Sequence, residues 1–248
     1  MKKLVLISGS GRGLGAGIAK SFAQNDFDIA INYCNSKEKA ESLAEELACS
    51  AFQADVSNPK QVEDMLVKIK EEYGRLPDIL INNAMTNYSF NGDQRKKADE
   101  IEWDDISNHL NVTLKGSLTL IQALLPSMKE NKFGRIINIG TNLFQNPVVP
   151  YHDYTIAKGA LLALTRTFAK DLGQYNISVN MVSGGLLKVT DASAATPDEV
   201  FDFIASVTPL QKVTTVSDFS DAVLFFASES SRAITGQNLV VDGGLTFN

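Results

Sequence analysis

A hydroxyl, a phenol and an amine stand at spacings that allow proton transfer to a carbonyl oxygen. Thr141 precedes Tyr154 by thirteen residues, and Tyr154-Thr-Ile-Ala-Lys158 sets a phenol and an amine at i and i+4. On a helix those two positions share a face. A free tyrosine titrates near ~10 and a free lysine near ~10.4, so neither serves neutral-pH chemistry unaided. An ammonium beside the phenol favours phenolate, which predicts a Tyr154 pKa lowered toward the range useful for general acid–base work. Thr141 can hydrogen-bond a substrate oxygen where negative charge develops, and Lys158 can also reach ribose hydroxyls. A carbonyl made into an alcohol this way also needs a hydride, so the next question is what could hold a dinucleotide.

Ser8-Gly-Ser-Gly-Arg-Gly-Leu-Gly15 lies where an apolar strand ends and a helix begins. Glycines there let the backbone approach a pyrophosphate, and the helix N-terminus offers free N–H groups and a positive dipole end. Gly11-x-Gly13-x-x-Ala16 matches the general dinucleotide fingerprint, and Gly9-x-x-x-Gly13-x-Gly15 matches a narrower spacing. Arg12 sits inside the turn, and the second strand ends on Asn32 and Tyr33 rather than on a carboxylate. An arginine with no acid for the ribose 2′-hydroxyl favours a 2′-phosphate, hence NADP(H) over NAD(H), with Asn35 and Ser36 able to donate further hydrogen bonds. The bland alternative for Arg12 is a solvated surface charge.

Short apolar runs separated by amphipathic ones must position these groups. Strands are expected at 4–7, 29–31, 51–54, 78–81, 135–139, 177–181 and 238–241. Helices are expected at 14–24, 36–48, 59–73, from near Trp103, and from Tyr154 to about Leu172, with Asn58 as N-cap before Pro59. Strands apolar on both faces and alternating with helices imply an α/β fold, a doubly wound seven-stranded parallel sheet of Rossmann type with helices on both faces. No repeat or linker divides the chain, so residues 1–248 read as a single domain. The irregular stretches 85–100 and 184–212 read as binding loops, the second as a substrate lid.

The net charge of −6 and the absence of a basic patch give no reason to expect nucleic acid or an anionic membrane as partner. Arg95-Lys-Lys97, followed by Asp99 and Glu100, reads as a solvated loop. Cys34 and Cys49 form no metal-ligand or redox spacing, so no metal is expected. The apolar run after Lys3 stops at Ile7, too short for a signal peptide, and no stretch reaches membrane-helix length; the expected compartment is the cytoplasm.

Taken together these residues resemble the short, single-domain branch of the short-chain dehydrogenase/reductase family. The resemblance rests on the glycine spacing, Asp55-Val56, Asn82-Asn-Ala84, Asn111-Val112, Thr141, Tyr154-x-x-x-Lys158, Val179-Asn180 and Val241-Asp-Gly-Gly244, in order along nearly the whole chain. Within the family it looks most like reductases of 3-oxoacyl groups on acyl carrier protein. The resemblance implies a catalytic set of Asn111, Thr141, Tyr154 and Lys158, with Asn111 organising a water relay to the lysine. It also implies cofactor contacts from Gly9, Gly11, Arg12, Gly13, Leu14, Gly15, Asp55, Val56, Asn83, Ala84, Gly185, Leu186 and Thr190. Taken alone, Asp55 reads equally as a turn carboxylate and Asn82-Asn83 as a strand-ending turn.

The chain departs from the family pattern at three places. Thr141 stands where serine is usual, and its β-branch restricts χ1. Met85 replaces a glycine, and Ser183-Gly-Gly185 replaces Pro-Gly. The lid segment 188–209 carries Phe201, Phe203 and Ile204, which suits a neutral ketone or an acyl chain. The expectation is therefore NADPH-dependent reduction of a 3-oxoacyl thioester or similar small ketone, with Tyr154 as proton donor. The alternative is an NADP(H)-binding regulator or scaffold without turnover. The apolar stripe Ile156, Ala157, Ala160, Leu161, Leu164 and Phe168, with the family resemblance, implies a homotetramer.

Overall fold

A computed structural model describes residues 2–88, 90–188, 190, 193–194 and 196–247, without the side chain of Asp93. Seven strands, β1 (Leu4–Ile7), β2 (Asp28–Tyr33), β3 (Ser50–Gln53), β4 (Ile79–Asn82), β5 (Gly134–Thr141), β6 (Ile177–Gly184) and β7 (Asn238–Val241), make one sheet. All pairings are parallel, in the order β3-β2-β1-β4-β5-β6-β7. The order reverses at β1, which pairs with both β2 and β4. In such sheets the crevice beyond the carboxyl ends at this reversal is where ligands bind.

The helices are α1 (Gly13–Ala23), α2 (Lys37–Glu46), α3 (Pro59–Tyr73), α4 (Trp103–Leu110), α5 (Ser117–Asn131), α6 (His152–Leu172), α7 (Asp198–Val207) and α8 (Val216–Ala227). Alternation along β1 shows how they are divided. Val5 and Ile7 enter a core with Ile18 and Phe22 of α1, Leu43 of α2 and Phe219 of α8. Leu4 and Leu6 enter the opposite core with Ile69 of α3, Leu120 and Leu124 of α5 and Leu172 of α6. Each fully buried Leu or Ile on these faces contributes roughly 1.5–3 kcal/mol relative to exposure, so the sheet is held rigidly from both sides.

Local signals set several boundaries. The Asn58 side chain accepts from the Lys60 and Gln61 amides at 3.1 and 3.3 Å, Pro59 opens α3, and Gly74 ends it at φ +70°. Asp218 and Thr215 form a reciprocal capping box at the start of α8.

Several elements differ from the sequence expectation. The expected lid, 184–212, holds a helix, α7, whose Phe201 is buried; positions 189, 191, 192 and 195 of that lid lie outside the described residues. Neither α8 nor the separation of α4 from α5 is foreseen; a π-turn at Asn111–Gly116 lies between them. Among the described residues no helix is long and apolar enough to cross a membrane.

Candidate active site

The glycine turn follows β1 directly and is bolted to the end of β4. Ser8 Oγ accepts from the amides of Asn83 and Ala84, each at 3.0 Å, and Asn83 Nδ2 donates to Ser8 and Gly9 carbonyls at 2.9 and 3.1 Å. Gly9 adopts φ +61°, and a Cβ there would sit 2.9 Å from Ala84 Cα, so both the conformation and the space require glycine. Gly13 opens α1 at φ +59° with nothing within 4 Å of where its Cβ would lie. The α1 N-terminus has no side-chain cap. Its free N–H groups and the open Gly13 face suit an anionic pyrophosphate.

The remaining cofactor candidates are distributed around this turn. Gly11 is buried against Ser36, whose Oγ would be 2.8 Å from a Cβ on Gly11. Leu14 turns its side chain into the apolar core, and Gly15 packs on Asn83 and the Gly9 carbonyl. Arg12 is exposed and donates to Asn87 Oδ1 at 3.3 Å, pointing toward the segment after β4. Asn35 is exposed, and its Oδ1 accepts from Cys34 Sγ at 3.6 Å. Asn32 at the end of β2 is 1% exposed; its Oδ1 accepts from the Gly9 amide and its Nδ2 donates to the Ala54 carbonyl, so this residue braces the turn.

Asp55 Oδ1 accepts from the Ser57 amide and hydroxyl at 2.9 and 2.8 Å, the turn-forming role open to it from sequence. Val56 is buried against Gly116. Asn111 opens the π-turn with an exposed side chain, whereas Lys158 is buried. Gly185 lies against Asn142, which donates to Asp242 at 3.0 Å and ties the loops after β5 and β7. Leu186 is half-buried beyond it. The Thr190 hydroxyl is within hydrogen-bonding distance of Ser193 Oγ, 2.9 Å, in a local turn.

The catalytic candidates converge. Thr141 is the last residue of β5, Tyr154 lies in the first turn of α6, and the Thr141 side chain stands beside the Tyr154 phenol. Thr141 Oγ1 also accepts from the Leu143 amide at 3.3 Å, which fixes its rotamer. Lys158 follows one turn later and donates to the Ile139 carbonyl at 2.6 Å.

The expected lowering of the Tyr154 pKa is not what the structure has. Burial pushes the phenol up to about 12, opposed only by the Thr141 side chain beside it. The Lys158 ammonium stands 5.8 Å from the Tyr154 ring centroid and spends a proton on Ile139. Burial in turn brings Lys158 down to about 8. Desolvation sets the direction at both groups.

Sequence reading misses what surrounds Tyr154. After β4 the chain folds back onto α6, and the Tyr88 ring lies nearly parallel to that of Tyr154, centroids 5.6 Å apart at 24°. Phe90 meets Tyr154 edge-on at 5.3 Å, and Tyr151 packs edge-on against Tyr88 and Phe90 at 5.6 and 5.5 Å. Tyr154 keeps only 9% exposure.

Asp153, 4% exposed, accepts from Tyr88 Oη at 3.0 Å and from Arg95 at 2.7 Å, and His109 Nε2 lies 3.7 Å from it. Arg95 is therefore not part of a solvated loop: its guanidinium also covers the Tyr88 ring at 4.2 Å, because burying a carboxylate requires a cation and donors. Burial lowers the His109 pKa and raises that of Tyr88, so the imidazole is disposed to be neutral and the phenol to donate. The one available signal was Tyr88 and Phe90 standing in the otherwise polar stretch after β4.

The chain is similar over nearly its whole length to known proteins. A family model described as enoyl-(acyl carrier protein) reductase matches residues 9–246. The chain is 33% identical over 250 residues to a 3-oxoacyl-(acyl-carrier-protein) reductase of Staphylococcus epidermidis, covering 99% of each protein. A solved gluconate 5-dehydrogenase of Burkholderia cenocepacia, in complex with NADP and tartrate, superposes with a TM-score of 0.87 at 30% identity, covering 99% of this chain and 96% of that one. A 3-oxoacyl-(acyl-carrier protein) reductase structure from Brucella melitensis gives 0.87 at 29% identity, covering 99% of this chain and 92% of that one. With the glycine turn at the sheet's reversal and the hydroxyl, phenol and amine gathered beyond β5, the chain belongs to the short-chain dehydrogenase/reductase family and is an NAD(P)-dependent oxidoreductase.

Proposed function

We propose that this protein reduces a carbonyl to an alcohol with NADPH, Tyr154 supplying the proton, on a 3-oxoacyl thioester or similar small ketone. The observation that carries the reading is the buried, adjacent Thr141–Tyr154 pair with a buried Lys158 one helical turn away. When bound, the dinucleotide supplies the hydride. The α1 N-terminus and the glycine turn would hold its pyrophosphate, Asp55, Val56, Asn83 and Ala84 would line its adenosine end, and Gly185, Leu186 and Thr190 would border its nicotinamide end. Lys158, which donates to the Ile139 carbonyl, would be the group to hold its ribose.

Thr141 donates to the carbonyl oxygen as charge builds there, and Tyr154 gives up its proton to the same atom. A phenol held near 12 is fully protonated at neutral pH, which suits a donor in the reductive direction. Asn111, at the π-turn, marks where a relay would return protons toward Lys158. NADPH is favoured over NADH because β2 ends without a carboxylate and Arg12 flanks the turn; the similar gluconate 5-dehydrogenase was solved with NADP. The exposed Ile156 (46%) on α6 and Phe247 (82%) near the C-terminus support a homotetramer, tested by light scattering of the purified protein.

The test is cofactor oxidation by purified protein with a panel of 3-oxoacyl thioesters, diketones and quinones, with NADH as control and Tyr154→Phe in parallel. Turnover that prefers NADPH and is lost in Tyr154→Phe supports the reading. Tight NADPH binding without turnover on any carbonyl would transfer support to a dinucleotide-binding regulator.

A further inference from the structure

The rings over Tyr154 are held, not merely collapsed. The buried Asp153 carboxylate takes hydrogen bonds from both Tyr88 and Arg95. Arg95 also covers the Tyr88 ring, whose centroid lies 5.6 Å from that of Tyr154. Phe90 closes the edge, and Tyr151 links this wall to a neighbouring cleft of about 400 Å³ lined by Val148, Pro150 and Ile156. Tyr88 and Phe90 therefore flank the ring of the proton donor itself.

Resting on the reduction proposed above, we infer that Phe90, braced by Tyr88, determines substrate choice, and that the wall they form takes a ketone bearing a flat aromatic group next to the carbonyl in preference to a flexible alkyl chain. Ring faces and edges carry opposite partial charge, so an aryl group gains stacked or edge-on contacts beyond the area it buries. An alkyl chain gains area alone and loses rotamer freedom on ordering. The Asp153–Arg95 pair keeps the wall from rearranging around a chain, since releasing either partner would strand a buried charge.

The experiment compares phenyl methyl diketone with propyl methyl diketone, which differ only in the group beside the reacting carbonyls, using the full chain and NADPH. Wild type is expected to favour the aryl compound about fivefold to tenfold in kcat/KM, the size of one or two ring contacts. Phe90→Leu, which keeps apolar volume and removes the ring, should erase that preference through KM. Tyr88→Phe, which keeps the ring, should retain most of it. Equal or alkyl-favouring selectivity in wild type, or an aryl preference that survives Phe90→Leu, overturns the inference. Calorimetric binding of the aryl diketone to the NADP-loaded protein separates the two readings. If no carbonyl is turned over yet aryl binding is present and lost in Phe90→Leu, the reduction reading fails and the aromatic selectivity stands. Absence of aryl binding overturns the selectivity itself.

Discussion

Lys158→Met is expected to change the pH dependence of folding stability in a way no surface lysine would. Lys158 is 2% exposed, and burial lowers its pKa from 10.5 to about 8. At about 1.4 kcal/mol per pH unit, that gap corresponds to ~3 kcal/mol withheld from the folded state at neutral pH. Below about pH 8 folded and unfolded chains both carry the proton, and the whole penalty is present. Between about 8 and 10.5 the folded chain has released the proton while the unfolded chain keeps it, so stability rises with pH. Above 10.5 both are neutral and the penalty is gone.

Methionine cannot titrate, so the wild-type curve should gain ~3 kcal/mol on the variant's across that window. Two other effects must be kept apart from this. The variant leaves the Ile139 carbonyl without its donor, a cost of about 1–3 kcal/mol that is uniform in pH. Tyr154, raised to about 12, costs stability above the ordinary phenol range in both proteins, and so cancels in the difference. The assay is urea unfolding of cofactor-free protein followed by circular dichroism, in steps from about pH 7 to about pH 10.5. Parallel curves for wild type and variant would refute the reasoning, since they would mean that the ammonium is solvated rather than buried.

Further outcomes follow from the same geometry. Alcohol oxidation should climb with pH toward the Tyr154 value of about 12 while reduction stays level through neutrality, because oxidation needs the phenolate and reduction the phenol; steady-state profiles in both directions check this. Arg12→Ala should raise KM for NADPH about tenfold or more, the size of a charge-assisted contact, and leave KM for NADH nearly unchanged; an equal rise for both cofactors would remove the 2′-phosphate assignment. Gly9→Ala must adopt φ +61° with a Cβ 2.9 Å from Ala84 Cα, so it should lose roughly 1–3 kcal/mol or more in urea unfolding and weaken NADPH binding in titration. Asn58→Ala removes an N-cap far from the site and should cost about 1 kcal/mol by urea unfolding while kcat stays at the wild-type level.

What the residues settle alone is whatever depends on near neighbours in the chain. Four-residue apolar runs such as Leu4–Ile7 specify buried parallel strands, because a strand covered on both faces has no polar side. Asn58-Pro59 supplies an N-cap and a first helical residue before an amphipathic run, and the i, i+4 spacing brings Tyr154 and Lys158 onto one face before any tertiary contact forms. The family pattern carries the same kind of information, since its motifs are local. Only the tertiary structure decides the electrostatics and the enclosure. The order of the Tyr154 and Lys158 pKa values depends on burial, which belongs to no single segment, and burial reversed the expected direction at the phenol. The wall over Tyr154 joins Tyr88 and Phe90 from one loop with Tyr151 and Asp153 from around the start of α6, more than sixty residues away. Arg95 reads as a surface charge in the chain and becomes a buried acid's partner in the fold, because only folding places a carboxylate where water cannot reach it.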